Sequence, residues 1–329
     1  MIDPKKGFMK KIFITGIAGF IGFHLAKKLH QLGFFVAGCD NFNDYYNPVL
    51  KKRRASQLKE LGIEIFDLSI EKIQIKKEYF KKEKFFCLIN LAAQAGVRYS
   101  LVNPNAYIDA NLNGFFQILE LLKDLKETKL IFASSSSVYG LNNKSPFAES
   151  DPTIHPANLY AATKACNELL AFSYHHIYKN PMIGLRFFTV YGPWGRPDMA
   201  YFLFAKSIDQ GQAINVYNFG EMKRDFTYID DIVDGIIASI HHETSYDIFN
   251  LGNSKKEPLL EMIQLIEGYL GKKATLNFLP MQPGDLLETC ADISKSSKIL
   301  NFSPKTSLKE GLEHFINWYK NEKELVALL

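Results

Sequence analysis

The 329-residue chain lacks any apolar run that approaches the roughly 18 residues needed to cross a membrane. Its first residues, MIDPKKGFMKK, also lack the apolar core of a signal peptide. Met9 stands directly before the first long apolar segment, and we assign no function to residues 1–8. These absences lead us to expect a cytoplasmic protein that makes no membrane contact.

Cysteine is scarce, and the four residues present (Cys39, Cys87, Cys166 and Cys290) are far apart with no CxxC pair. The histidines lack the spacing to carboxylates or cysteines that a metal site requires. We therefore expect reduced thiols, no disulfide and no bound metal.

The chain also lacks a strong charge of either sign, since its formal net charge is +4. Its lysines are scattered, and short clusters such as 51–54 and 81–84 are typical of solvated helix faces. A nucleic-acid partner is therefore not expected. Hydrophobic residues make up 47% of the chain and charged residues 22%, as in ordinary soluble proteins.

Short apolar segments alternate with longer segments of helical spacing through the first half of the chain. Strands are predicted over 12–15, 34–39, 63–66, 86–91 and 130–133, and helices over 20–32, 49–61, 106–125 and 159–178. Gly33 and Gly62 follow two of these helices as stop signals. The alternation predicts an α/β fold with a Rossmann-type, doubly wound parallel sheet.

The regular alternation ends after a strand predicted over 183–188. A loop rich in proline and glycine follows, and shorter elements are predicted beyond it, with helices over 202–209, 230–241, 259–270 and 308–320 and a strand over 214–217. We therefore divide the chain into a dinucleotide-binding domain over 9–180 and a smaller α/β lobe over 181–329. This lobe is expected to be mainly substrate-binding and interleaved, with some segments returning to the first domain.

A glycine-rich turn, TGIAGFIG, places Gly16, Gly19 and Gly22 between the first strand and the first helix. Glycine allows a tight turn, close approach to a pyrophosphate and close packing of the helix. Asp40 ends the second strand about 20 residues later, where a carboxylate accepts the ribose hydroxyls and repels a 2′-phosphate. The pattern favours NAD over NADP, and the alternative is a tight turn without a ligand.

Two further positions near the predicted crevice have open alternatives. Asp67 follows the third strand and either faces the adenine or caps a helix. Leu91, Ala92 and Ala93 end the fourth strand, where small residues let backbone run beside a dinucleotide but also pack well in any sheet.

The strongest chemical signal is a tyrosine and a lysine four residues apart, Tyr160 and Lys164 in YAATK. On a helix this spacing places both side chains on one face. An ammonium there favours the phenolate and lowers the tyrosine pKa from its ordinary value of about 10. Ser135, in SSSSVYG, lies 25 residues before the tyrosine and could hold a substrate oxygen. With the glycine turn, these residues predict that an alcohol loses a proton while a nicotinamide accepts its hydride.

Three arginines, Arg186, Arg196 and Arg224, lie in apolar or turn-rich segments of the second half. Arginine binds phosphate or carboxylate through two parallel hydrogen bonds. Each arginine could instead pair with a neighbouring acid such as Asp198 or Asp225, and the sequence leaves both readings open.

Seven segments of the chain resemble the extended short-chain dehydrogenase/reductase family. They are TGIAGFIG, DNFNDYYNP, NLAAQAGVRYS, SSSSVYG, LYAATK, GLRFFTVYGPWGRPDM and RDFTYIDD, and the resemblance covers residues 11–319. Within that family the chain is most similar to the NAD-dependent nucleotide-sugar 4-epimerases, and among these to enzymes that act on UDP-glucuronate. The run over 184–199 is more specific than the glycine turn or the tyrosine–lysine pair.

The resemblance implies roles for individual residues. The catalytic set would be Ser135, Tyr160 and Lys164. Contacts with NAD would come from Gly16, Gly19, Phe20, Ile21, Gly22, Asp40, Asn41, Asp67, Leu68, Leu91, Ala92, Ala93, Asn111, Tyr160 and Lys164. The UDP-sugar would contact Arg98, Ser135, Ser136, Ser137, Thr189, Arg196, Arg224 and Asp285. Within that set, Arg224 would hold a UDP phosphate, and Arg98 would line the phosphates of either the cofactor or the substrate. Asp285 would contact the uridine side. The sugar carboxylate would be recognised by Ser136, Ser137, Thr189 and Arg196.

The implied reaction inverts C4 of UDP-glucuronate through a 4-keto sugar. UDP-glucose and UDP-N-acetylglucosamine remain alternative substrates. Thr289 lies near the position that in relatives controls the room around the sugar ring, and its modest size would exclude neither sugar. Related 4,6-dehydratases carry an Asp–Glu pair where this chain has Ser136 and Ser137, and decarboxylases carry a glutamate at the second position. A further alternative is a non-catalytic, regulatory NAD-binding protein on the same scaffold. Such relatives usually lose the tyrosine or the lysine, whereas this chain keeps both. The resemblance also implies a homodimer formed through the helices over 106–125 and 159–178.

Overall fold

Seven parallel strands form the central sheet in a computed structural model that describes residues 9–282 and 284–329. Residues 1–8, to which the sequence assigns no function, lie outside the described part. The strands are β1 Lys11–Thr15, β2 Phe35–Asp40, β3 Glu64–Asp67, β4 Cys87–Asn90, β5 Lys129–Ser135, β6 Met182–Phe187, β7 Thr189–Tyr191, β8 Ala213–Tyr217, β9 Lys223–Arg224, β10 Phe226–Tyr228, β11 Tyr246–Leu251, β12 Glu257–Pro258 and β13 Thr275–Leu279.

Helices occupy most of the segments between these strands. They are α1 Phe20–Gln31, α2 Val49–Glu60, α3 Lys77–Glu83, α4 Tyr99–Val102, α5 Pro104–Tyr107, α6 Phe115–Leu122, α7 Leu159–Tyr178, α8 Ala200–Asp209, α9 Ile229–His241, α10 Leu259–Leu270, α11 Ser294–Leu300, α12 Leu308–Asn321 and α13 Lys323–Ala327. Short 3-10 helices cover Ile70–Lys76, Ser136–Tyr139 and Asn218–Gly220, and a π-helix covers Ile108–Gly114.

The order of strands across the sheet is β11-β6-β5-β4-β1-β2-β3. Every neighbouring pair in it is parallel. The chain builds outward from β1 to β3 and then returns to place β4 on the other side of β1. Such a reversal leaves a crevice at the carboxyl ends of the two central strands. The predicted α/β fold with a doubly wound parallel sheet is confirmed.

The central strands are buried on both faces. Ile12 and Ile14 of β1 pack into one apolar cluster and Phe13 into another on the opposite face, and all three are 0% exposed. Helices therefore cover both faces of the sheet, which explains why its strands are nearly continuous apolar runs rather than alternating ones.

Beyond residue 180 the chain contributes both to the sheet and to a second lobe. β6 and β11 extend the sheet beside β5. The other later strands form short pairs, β7 with β10, β8 with β13 and β9 with β12. The sequence did not predict β11, because Asp247 and Asn250 interrupt its apolar pattern. The division near residue 180 remains a prediction.

The helix predicted over 106–125 is interrupted. It begins as α5, widens into the π-helix and continues as α6. Asn111 lies in the wide turn, where its side chain binds the backbone of Gln94 and its carbonyl accepts a hydrogen bond from Asn167 Nδ2 at 2.7 Å. Because these partners come from other segments of the chain, the apolar period of the helix gives no sign of them.

All four cysteines are free thiols, and Cys39, Cys87 and Cys290 are buried. Burial raises the pKa of the Cys290 thiol to about 11, so this group stays protonated at neutral pH. Within the described residues, no helix has both the length and the apolar character required to traverse a bilayer.

The close packing of α1 against the turn before it gives a testable prediction for Gly22. A Cβ at Gly22 would lie 2.2 Å from the carbonyl oxygen of Gly16 and 2.9 Å from Ile17 Cα, and both are backbone atoms. We expect Gly22→Ala to lower the free energy of unfolding by about 2 kcal/mol, measured by chemical denaturation. The matched control is Gly268→Ala in α10, where a Cβ would meet nothing within 4 Å and should raise stability by about 1 kcal/mol. Equal stability of the two variants would contradict the packing argument.

Candidate active site

A cavity of about 1020 Å³ opens at the carboxyl ends of the central strands and extends into the second lobe. One end is lined by the turn after β1, the end of β2 and the segment after β4. The middle is lined by the end of β5 and the start of α7, and the far end by residues of the second lobe. The cavity thus brings together the glycine turn, the tyrosine–lysine pair and the arginines of the second half.

The glycine turn fits its predicted role. Gly16 has a φ of +70°, and a Cβ there would lie 2.8 Å from the backbone nitrogen of Ala92. Gly19 occupies the N-cap of α1 and provides no side-chain cap. The N–H groups of the first turn are therefore available to an anion, and the macrodipole of α1 favours negative charge there.

Asp40 lies against this turn at the end of β2. Its Oδ2 accepts the Ala18 N–H at 3.2 Å and its Oδ1 accepts the Phe42 N–H at 2.9 Å. Burial raises the pKa of Asp40, and the charge of Lys51 acts in the opposite direction. A glycine turn without room for side chains, an uncapped helix N-terminus and a carboxylate are the parts that a dinucleotide requires. The same end of the cavity is lined by Phe20, Ile21, Asn41, Leu68, Leu91, Ala92 and Ala93.

Two residues assigned to the cofactor lie elsewhere. Neither Asp67 nor Asn111 is among the described residues that line the cavity. Asp67 is exposed at the end of β3, in register with Asp40. Asn111 is 2% exposed, and its Nδ2 donates to the Gln94 carbonyl at 3.0 Å and to Thr163 Oγ1 at 3.0 Å. Asn111 therefore supports the segment after β4 from behind.

Tyr160 and Lys164 lie one turn apart in α7, and both line the cavity. Asn158 fixes the start of this helix by accepting the Ala161 N–H at 2.9 Å. Lys164 is 3% exposed, its Nζ donates to the Ala133 carbonyl at 2.9 Å, and burial lowers its pKa to about 8. The ammonium therefore remains protonated at neutral pH.

Burial raises the pKa of Tyr160, while a hydrogen bond from Ser135 and the charge of Arg196 act to lower it. The expectation that this pKa lies below its ordinary value is therefore wrong for the described arrangement. The reason is that removing a phenol from water disfavours the phenolate more than these neighbours stabilise it.

The serine run turns the chain and also lines the cavity. Ser135 ends β5, and its Oγ accepts the Ser137 N–H at 3.1 Å, so it caps the short helix Ser136–Tyr139. Ser135, Ser136 and Ser137 nevertheless all line the cavity. The cap therefore presents three hydroxyls beside the tyrosine.

Two arginines and one aspartate meet at the far end of the cavity. Arg98 Nη2 binds Asp285 Oδ2 at 3.0 Å, and the Arg98 guanidinium lies 4.5 Å from the centre of the Tyr217 ring. Arg224 donates to the carbonyls of Leu286 and Leu287 at 2.7 and 3.1 Å. Burial lowers the pKa of Arg224, Asp285 acts to raise it, and Arg98 adds to the lowering. Two guanidinium groups beside one carboxylate leave a net positive charge here.

The sequence left open whether Arg186 and Arg196 bind a ligand or pair with an acid, and the structure shows an acidic partner for each. Arg196 forms a two-point ion pair with Asp198, with distances of 3.1 Å from Nε and 2.5 Å from Nη2. Tyr45 Oη donates to the same carboxylate at 3.0 Å. A guanidinium has five N–H donors, so this pair leaves Arg196 with donors for another group. Arg186 pairs with Glu168 behind the cavity.

Thr189 lines the cavity from β7, and its N–H donates to the Asp225 carbonyl at 3.0 Å. Sequence reasoning missed Tyr45 as a site residue and named Asp198 only as one possible partner of an arginine. Both residues lie in segments that carry the family resemblance, DNFNDYYNP and GPWGRPDM, but nothing in either segment predicts that the two side chains meet across the cavity.

Comparisons with known proteins agree with this geometry. Residues 12–252 match the profile of the NAD dependent epimerase/dehydratase family. Protein CapI of Staphylococcus aureus is 48% identical over 330 residues, covering 94% of this chain and 98% of that protein. UDP-glucuronate 4-epimerase 4 of Arabidopsis thaliana is 44% identical over 326 residues, covering 94% of this chain and 75% of that protein.

A solved structure gives the same result. The UDP-glucuronic acid 4-epimerase from Bacillus cereus, in complex with UDP-glucuronic acid and NAD, superposes with a TM-score of 0.89 at 34% identity and covers 94% of this chain and 99% of that chain. The match spans both the sheet with its glycine turn and the second lobe. The chain that places Tyr160, Lys164 and a dinucleotide turn around one cavity thus belongs to the NAD-dependent epimerase/dehydratase family.

Proposed function

We propose that this protein is a UDP-glucuronate 4-epimerase that inverts C4 of the sugar and gives UDP-galacturonate. The single observation that carries the proposal is the meeting of Ser135, Tyr160 and Lys164 in the middle of a cavity that begins at the glycine turn. A proton-transfer group thereby lies between a dinucleotide site and a cluster of arginines.

The residues of the chain handle the proton, and bound NAD supplies the hydride acceptor and donor. Tyr160 accepts the proton of the sugar 4-hydroxyl, and Ser135 shares a hydrogen bond with the same oxygen. The ammonium of Lys164 stabilises the phenolate, offsetting the effect of burial. After the 4-keto sugar has turned over, Tyr160 returns the proton to the oxygen at C4. Because the reaction involves no net oxidation, NAD is expected to stay bound through turnover.

The charges at the far end of the cavity suit the diphosphate of the substrate. Arg98 and Arg224 present two guanidinium groups there, and arginine is well matched to phosphate oxygens. We assign the uridine side to Asp285, which pairs with Arg98 and lines the same end of the cavity. Anchoring UDP in this way contributes affinity while leaving the sugar ring free to turn over.

The sugar carboxylate is assigned to the group formed by Arg196, Ser136, Ser137 and Thr189. All four line the cavity. Asp198 and Tyr45 hold the Arg196 guanidinium, which reduces the entropy lost when it binds a second carboxylate. Arg196 also acts on the pKa of Tyr160, so it lies near the reacting end of the sugar.

Two further features belong to the same proposal. We infer that the protein is cytoplasmic, which its free and mostly buried thiols support. We infer that it forms a homodimer, because α6 and α7 present exposed apolar side chains, with Phe116 at 41%, Leu169 at 72% and Phe172 at 53% exposed.

The catalytic pair should determine the pH dependence. Lys164, with a pKa of about 8, must be protonated to stabilise the phenolate, so kcat should fall as the pH rises above about 8. Lys164→Met should lower kcat at least about 100-fold, as should Tyr160→Phe. Lys164→Arg is the matched control, because its charge persists above pH 12 and the alkaline fall should disappear even if kcat is low. An unchanged alkaline fall in Lys164→Arg would contradict the role of the ammonium.

Substrate choice can be measured by NMR of purified protein without added NAD. UDP-glucuronate should convert to the galacto isomer. We expect Arg196→Ala to lower kcat/KM for UDP-glucuronate by about 100-fold, since a charged hydrogen bond to the carboxylate is worth about 2–3 kcal/mol. Its effect on any turnover of UDP-glucose should be much smaller. Equal losses on both sugars would refute carboxylate recognition, and absence of C4 inversion in wild-type protein would refute the proposed function.

The oligomeric state tests the apolar face of α7. We expect the wild-type protein to be a dimer by light scattering coupled to size exclusion, and Leu169→Glu combined with Phe172→Glu to be a monomer. Ile299→Glu is the control, because Ile299 is 40% exposed on α11, which packs against α9 and β11 instead. A wild-type monomer at micromolar concentration would contradict the dimer.

A further inference from the structure

A second set of buried polar groups lies behind the catalytic pair, on the same face of α7. Glu168 follows Lys164 by four residues and Tyr160 by eight, so the three side chains form one stripe along the helix. Glu168 is 8% exposed, and its partners Arg186 and Ser134 are 4% and 2% exposed. Glu168 and Arg186 are thus an ion pair that is almost fully removed from water.

The geometry of this pair is a two-point fork. Arg186 Nε binds Glu168 Oε1 at 2.8 Å, and Arg186 Nη2 binds Oε2 at 2.7 Å. Ser134 Oγ donates to the same Oε1 at 2.5 Å. The Arg186 guanidinium also lies 4.8 Å from the centre of the Tyr139 ring. Glu168 therefore accepts three hydrogen bonds, two from β6 and one from β5.

A buried ion pair is a poor source of stability, because desolvating two charges offsets most of their attraction. Its retention at this place is better explained by what it positions. Arg186 on β6 is in register with Ser134 on β5, so the fork fixes α7 against both strands at the point where β5 ends. Tyr246 adds a contact from β11, donating through its Oη to the Glu168 carbonyl at 3.1 Å.

Three consecutive residues of β5 contact α7 in this way. The Ala133 carbonyl accepts from Lys164, Ser134 donates to Glu168, and Ser135 hydrogen-bonds Tyr160. The middle contact is the only one of the three that uses no catalytic residue. A shift of β5 relative to α7 would move Ser135 away from Tyr160 and the Ala133 carbonyl away from Lys164 at the same time.

We propose that Glu168, held by Arg186 and bonded to Ser134, is a positioning residue that sets the end of β5 against α7. It thereby aligns Ser135 with Tyr160 and the Ala133 carbonyl with the Lys164 ammonium. This role rests on the proposed epimerase reaction, in which Ser135, Tyr160 and Lys164 move the proton. Glu168 itself is not among the described residues that line the cavity.

Ser134→Ala tests the positioning role of Glu168 with the smallest structural change, because it removes one hydrogen bond and leaves the Glu168–Arg186 ion pair in place. We expect kcat for UDP-glucuronate to fall about tenfold, because small misplacements of reacting groups are costly. KM should not change, and neither should the amount of NAD that copurifies. The acid side of the kcat profile should move to higher pH, since a less well placed ammonium stabilises the phenolate less.

The matched control is Ser239→Ala in α9. Ser239 is 0% exposed, and its Oγ donates to the Ile236 carbonyl at 2.6 Å, so both variants remove a buried hydroxyl and one hydrogen bond. Ser134→Ala should lose somewhat more thermal stability, because Ser134 donates to a carboxylate and Ser239 to a neutral carbonyl. Only Ser134→Ala should lose kcat. Amide hydrogen exchange over residues 133–139 should also be faster in Ser134→Ala than in the control.

The link to Glu168 is tested by combining variants. If Ser134 acts through Glu168, then Ser134→Ala should have no further effect on kcat in a Glu168→Met background, which offers Ser134 no oxygen acceptor. The proposal is overturned if Ser134→Ala has the same kcat as Ser239→Ala. It is also overturned if amide hydrogen exchange over residues 133–139 is the same in the two variants, and this measurement needs no substrate. Failure of wild-type protein to convert UDP-glucuronate refutes the epimerase reaction separately.

Discussion

The hydrogen bond from Lys164 to the Ala133 carbonyl joins α7 to the end of β5, and the arrangement of the site depends on this junction. It holds the ammonium one helical turn from Tyr160 by a backbone carbonyl rather than a carboxylate, so the positive charge is not neutralised by this partner. Burial makes the arrangement demanding, because it lowers the pKa of the lysine and raises that of the tyrosine. The ammonium and a phenolate can each stabilise the other's charged form against the effect of burial, but only if the two groups are held close together.

The fold supplies that constraint from two sides. The reversal of strand order between β1 and β4 opens the crevice, and the turn at Gly16 to Gly22 gives its floor a helix N-terminus that no side chain caps. At the other end Arg98, from the segment after β4, meets Arg224 and Asp285 of the second lobe. A dinucleotide held at one end and a diphosphate held at the other would bring their reacting groups together in the middle, which Tyr160 and Lys164 line. The same cavity therefore provides binding groups at its two ends and proton-transfer groups in its middle.

Much of this could be read from local patterns. The glycine turn, the strands of the first half and the spacing of Tyr160 and Lys164 were predicted correctly in type, because each depends on neighbours within a few residues. Where the predictions were wrong, distant contacts were responsible. Asn111 joins Gln94 and Thr163 and lies in a π-helix, and β11 carries polar residues whose partners are on other segments. The pKa of Tyr160 is raised because burial depends on the whole fold.

By itself, the sequence determined the class of fold, the glycine turn and the tyrosine–lysine pair to which we assign the catalysis, because backbone freedom at glycine and helical spacing are local properties. Only the tertiary structure decided which charges meet. It paired Arg196 with Asp198 and Tyr45, Arg98 with Asp285, and Arg186 with Glu168. Most of these partners come from distant segments of the chain. The free energy of an ion pair depends on the distance between the charges and on how far water is excluded, and the spacing of residues along the chain specifies neither.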